Sequence, residues 1–313
     1  MRKISSAIFL VTLFVFANCK NNAGETAEED QKNKFYQSII NLGNGFIDVF
    51  SSLVGSIAEA LGTKANPKKS DVKTYFDSIA KKLEETLQSL EKLNKENEEA
   101  SEATVESAVG KTIEWLKEMI GAAKKGGEKN DGGGENIGNV EANNNGAKGN
   151  EESVKAIASG MKGIVEAAKK AGVELKAAAV AGGGNKDAGK LFATNGGGHA
   201  HANTAAINNA AKAVSGVSGD QILNAIVTSG DGNDENAGNA TNPIDAAIGA
   251  AGNDDQGFNG MTADDKIAAA IVLRGMAKDG KFALADAADA SKESLKATVE
   301  SAVGKTIEWL KEM

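Results

Sequence analysis

Cysteine occurs once in 313 residues, at Cys19, so the chain cannot close a disulfide within itself. Proline occurs twice, at Pro67 and Pro243, and aromatic residues make up only 4% of the sequence. Little proline with much Ala, Leu, Lys and Glu favours helices, because these side chains lose little rotamer freedom there. Few aromatics leave a core of Ala, Val, Ile and Leu, and between residues 120 and 296 only Phe192, Phe258 and Phe282 supply rings. Such a core is expected to be thin. An excess of positive charge is missing too: the formal charge is −8 at pH 7, which argues against nucleic acid as a partner, since phosphate binding needs a basic face.

Long apolar runs are equally scarce. Residues 4–17 form one that is too short to span a bilayer comfortably, preceded by Arg2 and Lys3 and followed by Cys19 and a polar stretch. This reads as an export signal over residues 1–18. The position of Cys19 resembles the lipidation site of bacterial lipoproteins, where the thiol takes a diacylglycerol and the new amino terminus a further acyl chain such as palmitate. The tripeptide Phe16-Ala17-Asn18 departs from the usual Leu-Ala-Gly type at such sites. Several acyl chains on one residue anchor a protein stably, where one chain binds only marginally.

Residues 19–102 read as a tether followed by a helical hairpin. The polar segment 21–33 is the tether. Phe35, Ile39, Leu42, Phe46, Val49, Leu53, Ile57 and Leu61 then step by threes and fours, as one stripe of a helix does. After a break at residues 62–67, Ser70 is placed to cap a second helix striped by Val72, Phe76, Ile79, Leu83, Leu87 and Leu90. Six of the aromatics fall in these two helices, so the best-anchored part of the core is expected there, near the membrane.

The segment ATVESAVGKTIEWLKEM occupies residues 103–119 and returns unchanged at residues 297–313. Each copy places Val, Ala, Thr, Ile, Leu and Met on one helical arc, with Trp115 or Trp309 at its edge. Between the copies, helices alternate with three polar tracts at residues 126–150, 182–202 and 230–260, rich in Gly and Asn. The tracts read as loops outside the core, on the surface facing away from the anchor. Of the helices, one carries Val154, Ile157, Met161, Ile164, Ala168, Ala171 and Leu175. A second holds Ile207, Ala211 and Val214, and a third, with a Ser218/Gln221 capping box, holds Ile222 and Ile226. The last, opened by a looser Thr262/Asp265 box and closed by Gly280, is apolar all round from Ile267 to Leu273 and so belongs in the interior.

Nothing in this pattern reads as an active site. Gly110-Lys111-Thr112 and Gly304-Lys305-Thr306 mimic the end of a phosphate loop, but Val105 stands where the pattern needs its first glycine, and the tripeptide lies inside a helix. His199 and His201 have no Cys or acidic residue at ligand spacing. DGNDENAG, from Asp231, fails as a calcium loop at Asn236 and Asn242. With Cys19 committed to lipid there is no thiol nucleophile, and no serine sits in a nucleophile elbow. The reading is a protein that is not an enzyme, with no catalytic, cofactor or metal residues.

The export segment with Cys19, KFYQSIINLGNGFIDVF (34–50), KKSDVKTYF (68–76), DQILNAIVT (220–228) and DDKIAAAIVLRGMAKDGKFAL (264–284) together resemble the Borrelia family of Vmp-like surface lipoproteins and variable large proteins. The resemblance implies an all-α fold, an elongated helical bundle with long Gly/Asn-rich distal loops, lipid-anchored at Cys19 in the outer membrane and exposed on the cell surface. It implies that the block from residue 103 to residue 313 is an exchangeable cassette, rewritten by recombination from silent copies so that host antibodies, its expected partners, lose their targets. It implies that segment 264–284 stays constant and largely buried. In the family a further constant helical region follows the second repeat, so this sequence reads as partial. A surface adhesin for a host protein or glycan is the alternative reading, and weak self-association is compatible with either.

Overall fold

The computed structural model describes residues 66–96, 103–131, 133–143, 145–170, 175, 177, 180, 183–194, 202–249, 257–285 and 288–312, with the backbone alone at 93, 96, 103–108, 289, 311 and 312. The signal segment, Cys19, the tether, the first expected helix and both histidines lie outside the described residues. Within them the protein is all-α. Its helices are α1 (Lys69–Glu96), α2 (Ala103–Glu128), α3 (Glu151–Lys170), α4 (Thr204–Ser215), α5 (Gly219–Val227), α6 (Pro243–Ile248), α7 (Asp264–Met276) and α8 (Asp289–Glu312), with a 3-10 turn at Lys186–Phe192. Two minimal strands, β1 (Val140–Glu141) and β2 (Phe282–Ala283), pair in parallel, Val140 opposite Phe282.

The helix α1 begins at Lys69, two residues earlier than the Ser70 cap would have it. The Lys68 amide donates to Asp71 Oδ2 at 2.7 Å, so a carboxylate in the first turn satisfies the exposed donor and complements the helix dipole. The expected stripe holds: Val72, Phe76, Ile79, Leu83 and Leu90 are buried, joined by Tyr75 and Ala80, with Leu87 packed at the edge. Each large apolar side chain buried this way contributes about 1.5–3 kcal/mol. This face packs on α2, which in turn packs on α3.

Residues 126 and 127, read from sequence as the start of the first loop tract, are the last turn of α2 instead. The glycines serve close approach. A Cβ on Gly126 would come within 2.6 Å of the Phe76 ring, and one on Gly160 within 2.6 Å of Gly126 Cα. Three helices therefore meet where the sequence suggested a breaker. In α3, Val154, Ile157, Met161, Ile164 and Ala168 are buried as their spacing requires, and Asn150 Oδ1 caps the helix by accepting from the Ser153 amide at 3.0 Å. Ala171 lies outside the described residues, and Leu175 is half-buried beyond the end of the helix.

The interior belongs to α7. Every residue from Ile267 to Met276 is buried, as an all-round apolar helix must be. Its ends differ from the sequence reading. No Thr262/Asp265 box forms: Ala263 is the N-cap, Asp264 Oδ1 accepts from Asn185 Nδ2 at 2.9 Å, and Asp265 accepts from the adjacent Lys266 amide. The helix stops at Met276, where Ala277 turns extended, four residues short of Gly280. Gly280 has a different duty, since a Cβ there would strike the Arg274 carbonyl. Around α7 lie α3, α4, α5, α6 and α8. In α4 the buried set is Ala206, Ile207, Ala210, Ala213 and Val214, with Ala211 only half-buried, and at the start of α5 the expected Ser218/Gln221 capping box forms, Gln221 Oε1 accepting from the Ser218 amide at 2.9 Å.

The three polar tracts do not lie outside the core. Ile137 in the first, Leu191 and Phe192 in the second, and Ile248 and Phe258 in the third are fully buried, and all six residues of α6 are buried although they fall inside a tract. Among the described residues, each tract combines exposed polar positions with buried apolar ones. Of the six aromatics expected to anchor the amino-terminal helices, Phe35, Tyr36, Phe46 and Phe50 lie outside the described residues and Tyr75 and Phe76 are buried in α1, while Phe192 packs edge-on to Phe258 at 5.1 Å and to Phe282 at 5.5 Å. The few rings of the central block are gathered in one place.

Candidate functional site: a clamp beneath the polar tracts

An arginine in the middle of an apolar helix must find hydrogen bonds, because an unpaired buried charge is far too costly. Arg274 is fully buried. Its Nη1 donates to the Ala147 carbonyl at 2.9 Å, and Nη2 donates to the Ala246 carbonyl at 3.1 Å and to that of Gly249. The Phe192 ring faces the guanidinium, with Cζ 4.8 Å from its centroid. Ala147 belongs to the first tract, Phe192 to the second, and Ala246 and Gly249 to the third. Burial pushes the guanidinium down to about 9, which leaves it charged at neutral pH.

The segment after α7 continues the same work. Ala147 and Lys281 exchange backbone bonds at 3.1 and 2.8 Å, and Asn150 N donates to Lys278 O at 2.8 Å. Phe282 N donates to Asn139 O and Leu284 N to Glu141 O, at 2.8 and 2.9 Å, and Ala285 N donates to Ala202 O at 2.9 Å. Nearly all these contacts are made through main-chain atoms. Glycines clear the way: a Cβ on Gly146 would strike the Ala193 carbonyl, and one on Gly249 that of Glu235.

A charged cluster flanks the clamp. Lys69, whose side chain is completely covered, donates to Glu135 at 3.2 Å and to the Gly280 carbonyl, and Lys281 reaches Glu135 at 3.4 Å and Glu141 at 3.2 Å. Burial pulls the Lys69 ammonium below its ordinary value. Burial also pushes Glu135 upward, but Lys69 and then Lys281 outweigh it and hold the carboxyl below the usual carboxylate value. The hydrogen bond to Glu141 keeps Lys281 above its own. These pairs tie the entrance of α1 to the first tract and to the turn after α7.

The residues singled out from sequence are placed differently. Lys111 is exposed on α2, whereas its counterpart Lys305, at the same position of an identical segment, donates to the carbonyls of Val214 at 2.8 Å and Val217 at 2.9 Å, where α4 ends. Thr306 Oγ1 bonds back to the Ala302 carbonyl within α8. Both Gly-Lys-Thr tripeptides are thus helix interior, and the phosphate-loop geometry is absent from them. Asp234 pairs with Lys148 at 2.7 Å across the first and third tracts, and Asp245 Oδ1 accepts from the Asn233 amide at 2.6 Å. Among the described residues no cluster of His, Cys, Asp and Glu could hold a metal ion, and no helix is long and apolar enough to cross a membrane. Sequence reasoning passed over Arg274. Its signal was there: one cation inside a helix otherwise apolar on every side.

Comparison with known proteins covers almost the whole molecule. The profile of the Borrelia lipoprotein family matches residues 46–313. Variable large protein 17 of Borrelia hermsii is 33% identical, with 99% of this chain and 87% of that protein aligned. Variable large protein 4 of the same organism is also 33% identical, over 99% and 88%. The crystal structure of the Lyme disease variable surface antigen VlsE of Borrelia burgdorferi superposes with a TM-score of 0.73 at 44% identity, covering 90% of this chain and 93% of that one. With a profile match over most of its length and relatives aligned nearly end to end, this chain belongs to the Borrelia lipoprotein family, beside the variable large proteins and VlsE.

Proposed function

We propose that the block between the two repeat copies is the exchangeable part of this antigen, carried on the outer surface by lipid at Cys19. The chain is a variable surface lipoprotein, and its function is antigenic variation in evasion of host antibodies. One observation carries the assignment of the block. The two copies are identical in sequence yet sit in unlike surroundings: Lys305 caps α4 while Lys111 is exposed, and Thr306 is fully covered while Thr112 is half-buried. Packing would let such copies diverge, so their identity is better explained by exchange between nucleic-acid sequences than by the needs of the fold. The carbonyl-mediated hold on the tracts supports the same reading, because it leaves their exposed side chains free to change.

Antisera raised against the purified chain test the display of the tracts. Replacing the exposed residues of the three tracts while leaving the buried ones should remove most antibody binding at unchanged helix content. Undiminished binding would count against the tracts as the antigenic surface. Anchoring is tested separately: Cys19→Ala should abolish acyl labelling and release the protein from the membrane, and retention without label would refute the role given to Cys19.

A further inference from the structure

We infer that Arg274 is the positioning residue that holds the three polar tracts in one fixed frame, and that it does so without reading their side chains in two of the three. The guanidinium offers donors in a rigid planar fork, so it can fix several acceptors relative to one another, where a lysine would act as a point charge. Here the fork takes one carbonyl from the first tract, at Ala147, and two from the third, at Ala246 and Gly249. From the second tract it takes the face of Phe192. A carbonyl is present whatever residue follows the Cα, so the first and third tracts can change sequence and keep the bond. The second tract is bound by an aromatic face, and its position 192 is therefore constrained to an aromatic side chain. Gly249 is constrained for a different reason, the absence of room for a Cβ beside the Glu235 carbonyl.

The charge is what gives the arrangement its force. Carbonyl bonds to an ion are roughly twice as strong as neutral ones, and a buried cation deprived of one acceptor loses more than the bond itself. Loosening one tract therefore raises the free energy of the guanidinium held by the other two. The tracts are coupled through it and open as a unit. The clamp stands on geometry alone, while its use in keeping the frame constant under sequence change rests on the antigenic reading above.

Native-state hydrogen exchange on the full chain tests the coupling. In the unaltered protein, amides at residues 146–150, 187–193 and 244–249 should exchange with one shared dependence on denaturant, distinct from that of α1 and α2. Three separate dependences would overturn the proposal. In Arg274→Met, all three regions should exchange at least ten-fold faster while α1 and α2 stay protected. Acceleration in one region only, or in none, would overturn it as well. If Arg274→Met does not fold, the measurement on the unaltered chain decides, and Arg274→Lys adds a foldable comparison in which the three regions should accelerate together. Replacing the exposed pair Lys148 and Asp234 should leave the shared behaviour intact. Failure here would leave antigenic variation standing, and failure of the antiserum experiment would leave the clamp standing.

Discussion

Arg274 and Glu135 show how much a single charge can decide in a protein with so few large side chains. Arg274 answers its burial with carbonyls and a ring, and Glu135 answers its own with two lysines. Because Lys69 and Lys281 hold the Glu135 carboxyl below its ordinary value, the ionised form stabilises the fold above the unfolded value near 4.5. That contribution is lost as the pH falls through the lower, folded value. Glu135 is about a third exposed, so screening limits the effect to less than about 1 kcal/mol. Urea unfolding at pH 7 and pH 3 should show a larger loss of stability in the parent protein than in Glu135→Gln. Equal losses would mean that the cluster contributes nothing to acid sensitivity. Arg274 was legible as a lone cation in an apolar helix, but the partners of both residues were not, because hydrophobic periodicity reports which face is inward and is silent on which distant carbonyl or carboxylate meets a charge.

At the scale of elements, the repeat offers an internal control. Two identical segments, one opening α2 and one at the end of α8, differ in what the rest of the chain brings to them. Lys305 satisfies carbonyls left open at the end of α4, and the first residue of α5, Gly219, sits so close to the Lys305 carbonyl that a Cβ could not fit. Lys305→Met should therefore cost about 1 kcal/mol, while Lys111→Met should change stability by no more than about 0.5 kcal/mol, both read by thermal or urea unfolding. Equal effects would contradict the inequivalence of the copies. Helix positions were legible wherever the period was long, as in α1, α3 and α7. Boundaries were less so. Asp71 displaced Ser70 at the start of α1, Asp265 turned to the adjacent Lys266 amide instead of boxing with Thr262, and the Gly pair near the end of α2 looked like a loop because close helix packing and chain breaking use the same residue. The helix α6 was missed because six residues hold too little of a period, although Asn242 before Pro243 is a good start signal.

For the whole molecule, the family and the all-helical fold were readable from motifs and composition, whereas the way the tracts enter the core was not. A tract with one or two apolar residues among many Gly and Asn looks like a free loop, yet Ile137, Phe192 and Phe258 root the three tracts around α7. On the proposed reading, exposed tract residues change while the buried ones and the backbone frame remain. Change is expected to be confined to the block between the repeats and, within it, to exposed positions of the tracts. The most direct measurement is to sequence this gene in spirochaetes recovered from an infected, antibody-competent host. The account predicts substitutions between residues 103 and 296 only, concentrated at exposed tract positions and sparing Arg274, Gly249 and the aromatic character of Phe192. Substitutions spread evenly along the gene, or none at all under antibody pressure, would contradict it.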